Sequence, residues 1–303
     1  MILVTGATGF VGRSLMRALA RQAIPAKAYP GRMNDPLALR ASLPGVTTVI
    51  HLASAETRGR PRLLQHVDVE GSERLAEECR RAGVPSLIFL SRIAADPNSM
   101  FPLLRAKGEV ERILRRSGLP VTVVQSATLF GREDRFLNVI ASLAAWTWPF
   151  VWLPGGGQKP LQPLWVEDLV RCLVALLDRT DLTGQTIQLA GGERLRYIEL
   201  VRLVLTTAGL QRIGLPVHLR ISRPIAMATL GWWRYPPVSR FFLNRFSVPD
   251  VADLDAVLRY FRFHPGRVSE NIAYLRRPGL RRQLFRPESR VLPLPENAPQ
   301  STP

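Results

Sequence analysis

The sequence predicts an α/β fold in which a doubly wound parallel sheet carries helices on both faces and a smaller, mostly helical lobe follows. Three observations support this fold class. A short apolar strand at the N-terminus runs directly into a glycine-rich turn and an amphipathic helix. Later strands are apolar throughout, as strands buried on both faces are. Helical segments alternate with these strands as far as Gly131.

The first half of the chain supplies the sheet in order. Residues 2–5 are the first strand, residues 6–12 the glycine turn and residues 13–22 the first helix. The alternation continues with strands at 47–53, 86–91 and 120–125 and helices at 69–82 and 104–117. This order is typical of successive βαβ units, which place their strands side by side in one parallel sheet.

After Gly131 the regular alternation ends. A tryptophan-rich stretch at 141–152 and a glycine and proline loop at 154–163 precede a helix at 166–177 and a late strand at 186–189. Helices at 197–208 and 251–260 belong to the smaller lobe. We therefore expect a sheet domain over 1–190, with 132–165 contributing to the second lobe, a C-terminal lobe over 191–285, and a disordered proline-rich tail over 286–303.

Cysteine content and hydropathy indicate the cellular compartment of the protein. Cys79 and Cys172 are the only cysteines and lack metal-ligand spacing, so neither a disulfide framework nor a zinc site is expected. The N-terminus has no signal-peptide pattern. The longest apolar stretch, 225–233, is about half of the roughly 18 to 20 residues that a spanning helix needs. These features predict a cytoplasmic protein that does not itself cross a bilayer.

The formal charge of +17 suggests an acidic partner, but arginine carries nearly all of it. The lysines are only Lys27, Lys107 and Lys159, so a GC-rich coding bias is an equally good explanation for the chain as a whole. No nucleic-acid recognition motif accompanies the charge, and we expect no nucleic-acid partner.

The distribution of charge is more informative than its total. Residues 200–249 contain no Asp or Glu but seven arginines, and those from Arg234 onward are interleaved with tyrosine and phenylalanine after the tryptophans of 225–233. This pattern favours peripheral association with an anionic membrane surface or a membrane protein complex on the cytoplasmic side. The alternative is an ordinary substrate lobe whose aromatic residues face inward.

The turn TGATGFVG at residues 5–12 is the strongest motif. A glycine turn between strand and helix lets backbone N–H groups approach a pyrophosphate, whose charge the helix N-terminus favours. The last glycine permits close packing of helix on strand. The motif predicts a Rossmann-type dinucleotide site rather than a purely structural turn, with contacts from Gly6, Thr8, Gly9, Phe10, Val11 and Gly12.

The GxxGxxG spacing, together with downstream segments, resembles the extended and atypical short-chain dehydrogenase/reductase superfamily over about residues 1–280. The segment HLA at 51–53 resembles the strand end beside the adenine and ribose, which implies cofactor contacts from Leu52 and Ala53. DVEG at 68–71 resembles the (N/D)VxG helix start of that superfamily, and QPLWVEDL at 162–169 resembles its late helix start.

Within the superfamily, FGREDRFLN at 130–138, with WLP at 152–154 and QP at 162–163, closely resembles the NDUFA9-like group. This group comprises the 39 kDa accessory subunit of respiratory complex I and its bacterial relatives. A salt-bridged loop that merely closes the nucleotide cleft is compatible with the same residues.

The catalytic pattern of the superfamily is incomplete here. Its YxxxK pair uses the tyrosine as general acid or base, while the lysine lowers the tyrosine pKa and holds the nicotinamide ribose. Lys107 occupies the lysine position, but Leu103 stands where the tyrosine would be. Ser91 matches the serine position of the family. The resemblance implies that the ribose contact of Lys107 is kept while the proton donor is lost.

Cofactor preference depends on the end of the second strand. An acidic residue there accepts from the ribose 2′-OH of NAD, whereas arginine neutralises the 2′-phosphate of NADP. No acidic residue precedes Asp35, and Arg32 lies near the expected position. The sequence favours NADP(H) over NAD(H), unless Arg32 is simply a solvated loop charge.

Two functions remain open at this stage. The first is an NAD(P)(H)-binding accessory, assembly or regulatory protein that docks on a membrane complex of the respiratory type. The second is an active NAD(P)H-dependent reductase or epimerase that acts on a small or isoprenoid-like substrate with a displaced acid. We interpret His51 as a packed strand residue, and Trp146, Trp148, Trp152 and Trp165 as core and lobe packing.

Overall fold

The structure, a computed structural model, describes residues 1–58, 60–218, 241, 246–276 and 280. Its strands are β1 (Ile2–Thr5), β2 (Ala26–Ala28), β3 (Thr48–His51), β4 (Ser86–Arg92), β5 (Val121–Ser126), β6 (Leu129–Phe130), β7 (Phe150–Pro154), β8 (Pro160–Leu161), β9 (Leu164–Trp165), β10 (Thr186–Leu189), β11 (Leu195–Arg196) and β12 (Ile213–Val217). Six of them form the main sheet in the order β10-β5-β4-β3-β1-β2, and every pair is parallel. The predicted doubly wound parallel sheet is confirmed.

Helices cover the sheet and build the second lobe. They are α1 (Phe10–Arg21), α2 (Pro36–Ser42), α3 (Pro61–Leu63), α4 (Gly71–Arg81), α5 (Pro102–Arg116), α6 (Leu137–Trp146), α7 (Val166–Ala175), α8 (Tyr197–Ala208), α9 (Ala256–Phe261) and α10 (Val268–Asn271). A π-helical segment, Leu64–Glu70, joins α3 to α4. Such segments are rare and often lie at functional sites.

Hydrophobic clusters divide the helices among three packing regions. α4 and α5 share one cluster with β3 and β4, and α1 and α7 share another with β1 and β10. A separate cluster joins α6, β7 and α8 with Val268, Ile272 and Leu275. Residues from 130 to 153 therefore pack with residues beyond 197 rather than with the sheet. The domain boundary at residue 190 stays a prediction.

Several element boundaries differ from the sequence prediction. α1 begins at Phe10, so Gly12 lies inside the helix and not in the turn. The sequence predicted no bounds for β2 and α2. β2 is difficult to recognise because it is only three residues long and none of its side chains is buried. The helix expected over 251–260 begins only at Ala256. Its first residues are held outside the helix because the Ala252 N–H donates to Gln162 Oε1 at 2.9 Å.

The tryptophan-rich stretch is not a packed core. Trp146, Trp148 and Trp152 are 52%, 74% and 39% exposed, so the expectation that they pack inward is wrong. Only Trp165 is half-buried, against the second-lobe cluster. On β7 the buried residues are Val151 and Leu153, which alternate with the outward-facing aromatic residues.

Other expectations concern the surroundings of the chain. Within the described residues, no helix is long and apolar enough to cross a membrane. In the same residues no three side chains are grouped so that they could hold a metal ion. Both cysteines are buried, and burial raises the pKa of Cys79 to about 12. The stretch 225–233 and the tail 286–303 lie outside the described residues.

The side chain of His51, the last residue of β3, connects this strand to β1 and to α4. Its Nδ1 lies 2.6 Å from Thr5 Oγ1 on β1, and its Nε2 lies 2.8 Å from Ser72 Oγ on α4. The ring is completely buried and stacks on Phe89. Burial, with a smaller contribution from the charge of Lys107, lowers the pKa of His51 to about 3. The interpretation of His51 as a packed strand residue is confirmed.

The pKa of His51 predicts acid destabilisation. The unfolded chain takes up a proton at His51 near pH 6.5 while the folded chain does not do so until about pH 3. Stability therefore falls as pH drops through that window, by about 2 kcal/mol between about pH 7.5 and pH 5 for this one group. Urea unfolding at several pH values measures the slope. His51→Gln is expected to flatten it; an unchanged slope in the variant would show that His51 does not carry the effect.

Candidate functional site

Two positions at the turn from β1 into α1 admit only glycine. Gly6 has φ +70°, and a Cβ there would lie 2.7 Å from the backbone N of Ala53 at the end of β3. A Cβ on Gly12 would lie 2.6 Å from Ala7 Cα and would overlap the carbonyl oxygen of Gly6. Real Cβ atoms do not approach backbone this closely, so the two glycines set how tightly α1 packs against the sheet.

The N-terminus of α1 has the properties of an anion site. Gly9 is the N-cap and supplies no side chain, and the first turn of α1 carries no acidic residue. Thr8 and Gly9 are exposed, and Phe10 and Val11 are half-buried. The N–H groups at this end of the helix are therefore accessible to a phosphate and lie where the helix dipole favours negative charge.

Leu52 and Ala53 follow β3 and lie beside this turn. The Leu52 N–H donates to the Thr5 carbonyl at 3.2 Å, which continues the pairing of β1 with β3 past the strand end. Gly6 approaches the Leu52 carbonyl carbon as closely as it approaches Ala53. The fold thus brings together the glycine turn and the strand-end segment that the sequence assigns to the same ligand.

Lys107 lies buried on α5 in an ion pair that the sequence did not predict. Its Nζ is 3.2 Å from Asp68 Oδ1, and the two side chains are 5% and 1% exposed. The Asp68 Oδ2 accepts from the Ala55 N–H at 2.8 Å. Asp68 belongs to the π-helical segment, and the only signal for its role was the DVEG motif, which we had used as a helix start. Lys107 Nζ also lies 5.3 Å from the centre of the Phe89 ring.

Asp68 Oδ1 is only partly satisfied by this pair. It makes no hydrogen bond of good geometry, although Lys107 Nζ is within ion-pair distance. The ion pair nevertheless stabilises the carboxylate, because two opposite charges 3.2 Å apart attract strongly when both are removed from water. The pair places the ammonium at a fixed position between β4 and the π-helical segment.

Ser91 faces a different network. Its hydroxyl donates to Glu111 Oε1 at 2.5 Å, and Gln125 Nε2 donates to both Glu111 oxygens at 2.9 and 3.1 Å. Arg115 completes the shell around this buried carboxylate at 3.2 Å. The structure therefore separates Ser91 from Lys107: each is bound to a different acidic residue. A ligand contact by Ser91 stays a prediction.

Leu103 lies one turn before Lys107 on α5 and is 5% exposed. It belongs to the same hydrophobic cluster as Phe241, and both residues line one small cavity of about 20 Å³. That volume accommodates about one water molecule. Arg92 and Asp250 also line this cavity, and Arg92 pairs with Glu56 at 2.6 Å. Leu103 thus packs beside Phe241 in the wall of this cavity.

The FGREDRFLN loop is built around one buried carboxylate. Asp134 accepts from the N–H groups of Gly131, Phe136 and Asn138 and from the hydroxyl of Tyr274, at 2.7 to 3.1 Å. Burial raises the pKa of Asp134, although these donors act in the opposite direction. The loop conformation therefore depends on Asp134.

The same loop contacts the glycine turn directly. Glu133 accepts from Arg13 Nε at 2.7 Å, and Arg13 also donates to the Thr8 carbonyl. A Cβ on Gly131 would lie 3.2 Å from the Phe10 ring, so the loop backbone closes onto the start of α1. The expectation of a salt-bridged loop that closes the nucleotide cleft matches this arrangement.

Arg32 lies four residues after the end of β2, and its role in cofactor preference stays a prediction. Its side chain is exposed and has no hydrogen-bond or ion-pair partner within the described part of the chain. The backbone is fixed, because the Tyr29 hydroxyl donates to the Arg32 carbonyl at 2.9 Å. The nearest following acidic residue, Asp35, caps α2 through the N–H groups of Leu37 and Ala38. No carboxylate competes with Arg32 at this strand end.

Comparison with known families decides the class of this site. Residues 2–190, more than half of the chain, match the NAD dependent epimerase/dehydratase family. The chain belongs to this family. The match supports binding of a nicotinamide dinucleotide, and it spans the glycine turn, Leu52, Ala53, Ser91 and Lys107, whose individual contacts stay predictions.

Individual relatives agree with this family. The NADH-ubiquinone oxidoreductase 40 kDa subunit of Neurospora crassa is 26% identical over 277 residues, which are 84% of this chain and 72% of that protein. A (4-alkanoyl-5-oxo-2,5-dihydrofuran-3-yl)methyl phosphate reductase of Streptomyces griseus is 28% identical over 263 residues, 80% of this chain and 85% of the reductase. The resemblance to the complex I subunit group is confirmed.

The fold also agrees with a solved structure. The crystal structure of gox2253 covers 91% of this chain, and this chain covers 96% of it, with a TM-score of 0.73 at 21% identity. At that level of identity the likeness concerns the fold alone.

The buried pair yields a stability prediction for this epimerase/dehydratase family member. Lys107→Met leaves the Asp68 carboxylate buried without a counter-charge and is expected to lower the free energy of unfolding by about 3 to 5 kcal/mol. Adding Asp68→Asn, which keeps an acceptor for Ala55, is expected to restore most of the loss. Chemical denaturation of the four proteins of this cycle gives the coupling energy.

Lys159→Met is the matched control, because Lys159 has no side-chain partner in the described residues and the change is expected to stay within about 0.5 kcal/mol. Additive effects of Lys107→Met and Asp68→Asn would contradict the ion pair.

Proposed function

We propose that this protein binds NADP(H) as an accessory, assembly or regulatory protein and does not use the cofactor for efficient turnover. The observation that carries the proposal is the contrast between the two halves of the site. The glycine turn has the close backbone approach, and the start of α1 the uncapped N-terminus without acidic residues, that favour a pyrophosphate. Leu103 offers no proton donor at the position where the family's tyrosine would act.

The surroundings of Leu103 support this contrast. Leu103 packs in one hydrophobic cluster with Phe241, so apolar side chains surround it. Of the two charged residues that line the same cavity, Asp250 is buried, whereas Arg92 is half-buried and paired with Glu56. Lys107 would supply the ribose contact from its position beside Asp68. Leu52 and Ala53 would face the adenosine half of the cofactor.

The ligand would act through stability. A dinucleotide that binds only the folded chain raises the free energy of unfolding by mass action, without any chemical step. It would also order the contact between Arg13 and Glu133, because that ion pair lies beside the pyrophosphate end of α1. The cofactor would thus fix the FGREDRFLN loop and, through α6, the second lobe.

A role at a membrane complex follows from the relatives. The Neurospora crassa relative is named as a subunit of NADH-ubiquinone oxidoreductase, and this chain covers 72% of its length. We place the protein on the cytoplasmic side, attached to a membrane surface or a membrane protein complex. The expected attachment segment, 200–249, lies largely outside the described residues.

The second candidate is an active reductase, and one observation favours it. The Streptomyces griseus relative is named as a reductase, and this chain covers 85% of that protein. The substrate of such an enzyme would have to enter where Phe241 packs against the Leu103 cluster. We prefer the binding role because Leu103 offers no proton donor at the position of the family's tyrosine.

Cofactor preference tests the role of Arg32. NADPH is expected to bind more tightly than NADH, because the guanidinium can neutralise the 2′-phosphate. Calorimetric titration of both cofactors should show this difference. Arg32→Ala should weaken NADPH by about tenfold and leave NADH nearly unchanged. Arg58→Ala, an exposed arginine that lies on a different loop, is the matched control. Equal affinities of the unmodified protein for NADPH and NADH would contradict this role of Arg32.

Turnover tests the loss of the acid. Carbonyl reduction by the unmodified protein is expected to be very slow, because general acid–base help is worth about 100 to 10,000-fold. Leu103→Tyr should raise it, provided that cofactor affinity is unchanged. The measurement is single-turnover oxidation of bound NADPH with a panel of carbonyl compounds. Steady turnover of about 1 to 1,000 per second by the unmodified chain would contradict the proposal that the protein binds the cofactor without using it.

A further inference from the structure

The two-stranded ribbon formed by β7 and β12 in the second lobe has an exposed apolar face. β12 pairs with β7 in parallel, so that Ile213 lies beside Phe150 and Leu215 beside Trp152. Side chains at paired positions point to the same face of a ribbon. With two tryptophans from the end of α6 and the turn after it, they form what we call the aromatic ribbon face, made of Trp146, Trp148, Phe150, Trp152, Ile213 and Leu215.

The opposite face of the same ribbon is a normal packed surface. Val151 and Leu153 are buried in the second-lobe cluster, and Gly214 sits over Leu153, where a Cβ would come within 2.7 Å of its side chain. The alternation of buried and exposed residues on β7 is therefore regular. The outward residues are not core residues that the fold failed to cover. They are the second side of a strand with two apolar sides.

This face stands out from the rest of the described surface. It contains six of the eleven large hydrophobic side chains that are exposed among the described residues. Single exposed apolar residues are common on proteins, but a contiguous apolar patch marks an interaction site. β12 is also an outer strand whose residues are almost all exposed.

The face is held rigidly. Arg212 Nε donates to the Ala144 carbonyl at 2.5 Å, which satisfies a free carbonyl at the C-terminal end of α6. The Ile213 N–H donates to the Pro149 carbonyl at 2.9 Å, and the Phe150 N–H donates to the Thr147 carbonyl at 2.7 Å. The aromatic side chains are therefore presented from a fixed framework, which lowers the entropy lost when they bind.

Charge decides what kind of partner fits this face. The residues of the face belong to two stretches of the sequence, 135–166 and 200–249, that contain no Asp or Glu. Glu199, at the start of the adjoining helix α8, is neutralised by Arg196 at 2.6 Å. Lys159, Arg202 and Arg212 are cationic residues of the same segments within the described part. An apolar face in a field of uncompensated positive charge matches an anionic partner.

We propose that the aromatic ribbon face is a docking surface for the headgroup region of an anionic lipid bilayer. Tryptophan and phenylalanine rings prefer this depth, where their apolar bodies leave water while basic residues remain near the phosphates. A second copy of the chain fits less well, because each copy carries the same positive field and a net charge of +17. The inference rests on the proposed function and gives its membrane attachment a surface.

Vesicle flotation of the full chain tests the proposal. The vesicles are phosphatidylcholine alone and phosphatidylcholine with phosphatidylglycerol, each at low and high salt. Binding is expected only to the anionic vesicles and should weaken with salt. Trp148→Ser with Ile213→Ser should lower the affinity by at least about tenfold, because both side chains lose burial in the interface.

A matched control removes equally exposed apolar side chains elsewhere. Leu37 and Met100 are 72% and 81% exposed, against 74% for Trp148 and 62% for Ile213. Leu37→Ser with Met100→Ser should leave vesicle binding unchanged. Quenching of tryptophan fluorescence by bromine-labelled lipid chains should decrease in Trp148→Phe, which reports direct insertion.

Three results would overturn the proposal. The first is that the protein does not float with anionic vesicles at low salt. The second is that Trp148→Ser with Ile213→Ser floats as well as Leu37→Ser with Met100→Ser. The third is a concentration-dependent dimer that Trp148→Ser with Ile213→Ser abolishes. The dimer would assign the face to a second copy of the chain. Cofactor titration of the same variants separates this outcome from the proposed function, since NADPH affinity should be unchanged in all of them.

Discussion

The arrangement of the site depends on one steric constraint, the close approach of backbone to backbone where β1 passes into α1. Gly6 lies against the end of β3, and Gly12 lies against the turn itself. A side chain at either position would push α1 away from the sheet and would also move Leu52 and Ala53. Because the approach is tight, the N-terminus of α1 is exposed at the carboxyl edge of the sheet, where dinucleotides bind in folds of this kind.

The rest of the site has a charged half and an apolar half. Arg13 and Glu133 connect the glycine turn to the loop before α6, and Asp134 holds that loop through four donors. Lys107 is fixed by Asp68 in a buried pair, which is costly to break and therefore maintains its position. Leu103, by contrast, packs with other apolar groups. In the proposed function, these charges would hold the ligand, and Leu103 would replace the group that moves a proton.

Sequence reasoning found the features that depend on local pattern. The glycine turn, the apolar strands and the helix that carries Lys107 are encoded in short segments, and the structure has them at nearly the predicted places. The Lys107 partner was missed because Asp68 is distant in sequence and lies in a π-helical segment that no periodicity predicts. Trp152 was misassigned because residue type indicates burial on average, whereas its exposure depends on which side of β7 meets α6 and α8.

The central claim is that the protein retains a cofactor that it does not turn over. Mass spectrometry of the nucleotide released when the purified protein is denatured tests this most directly, with the amount measured against protein. The account predicts close to one nicotinamide dinucleotide per chain, mainly NADP(H), and the same ratio of reduced to oxidised form after incubation with carbonyl compounds. Protein that carries no dinucleotide and is not stabilised by added NADPH, or bound cofactor that is oxidised during the incubation, would contradict it.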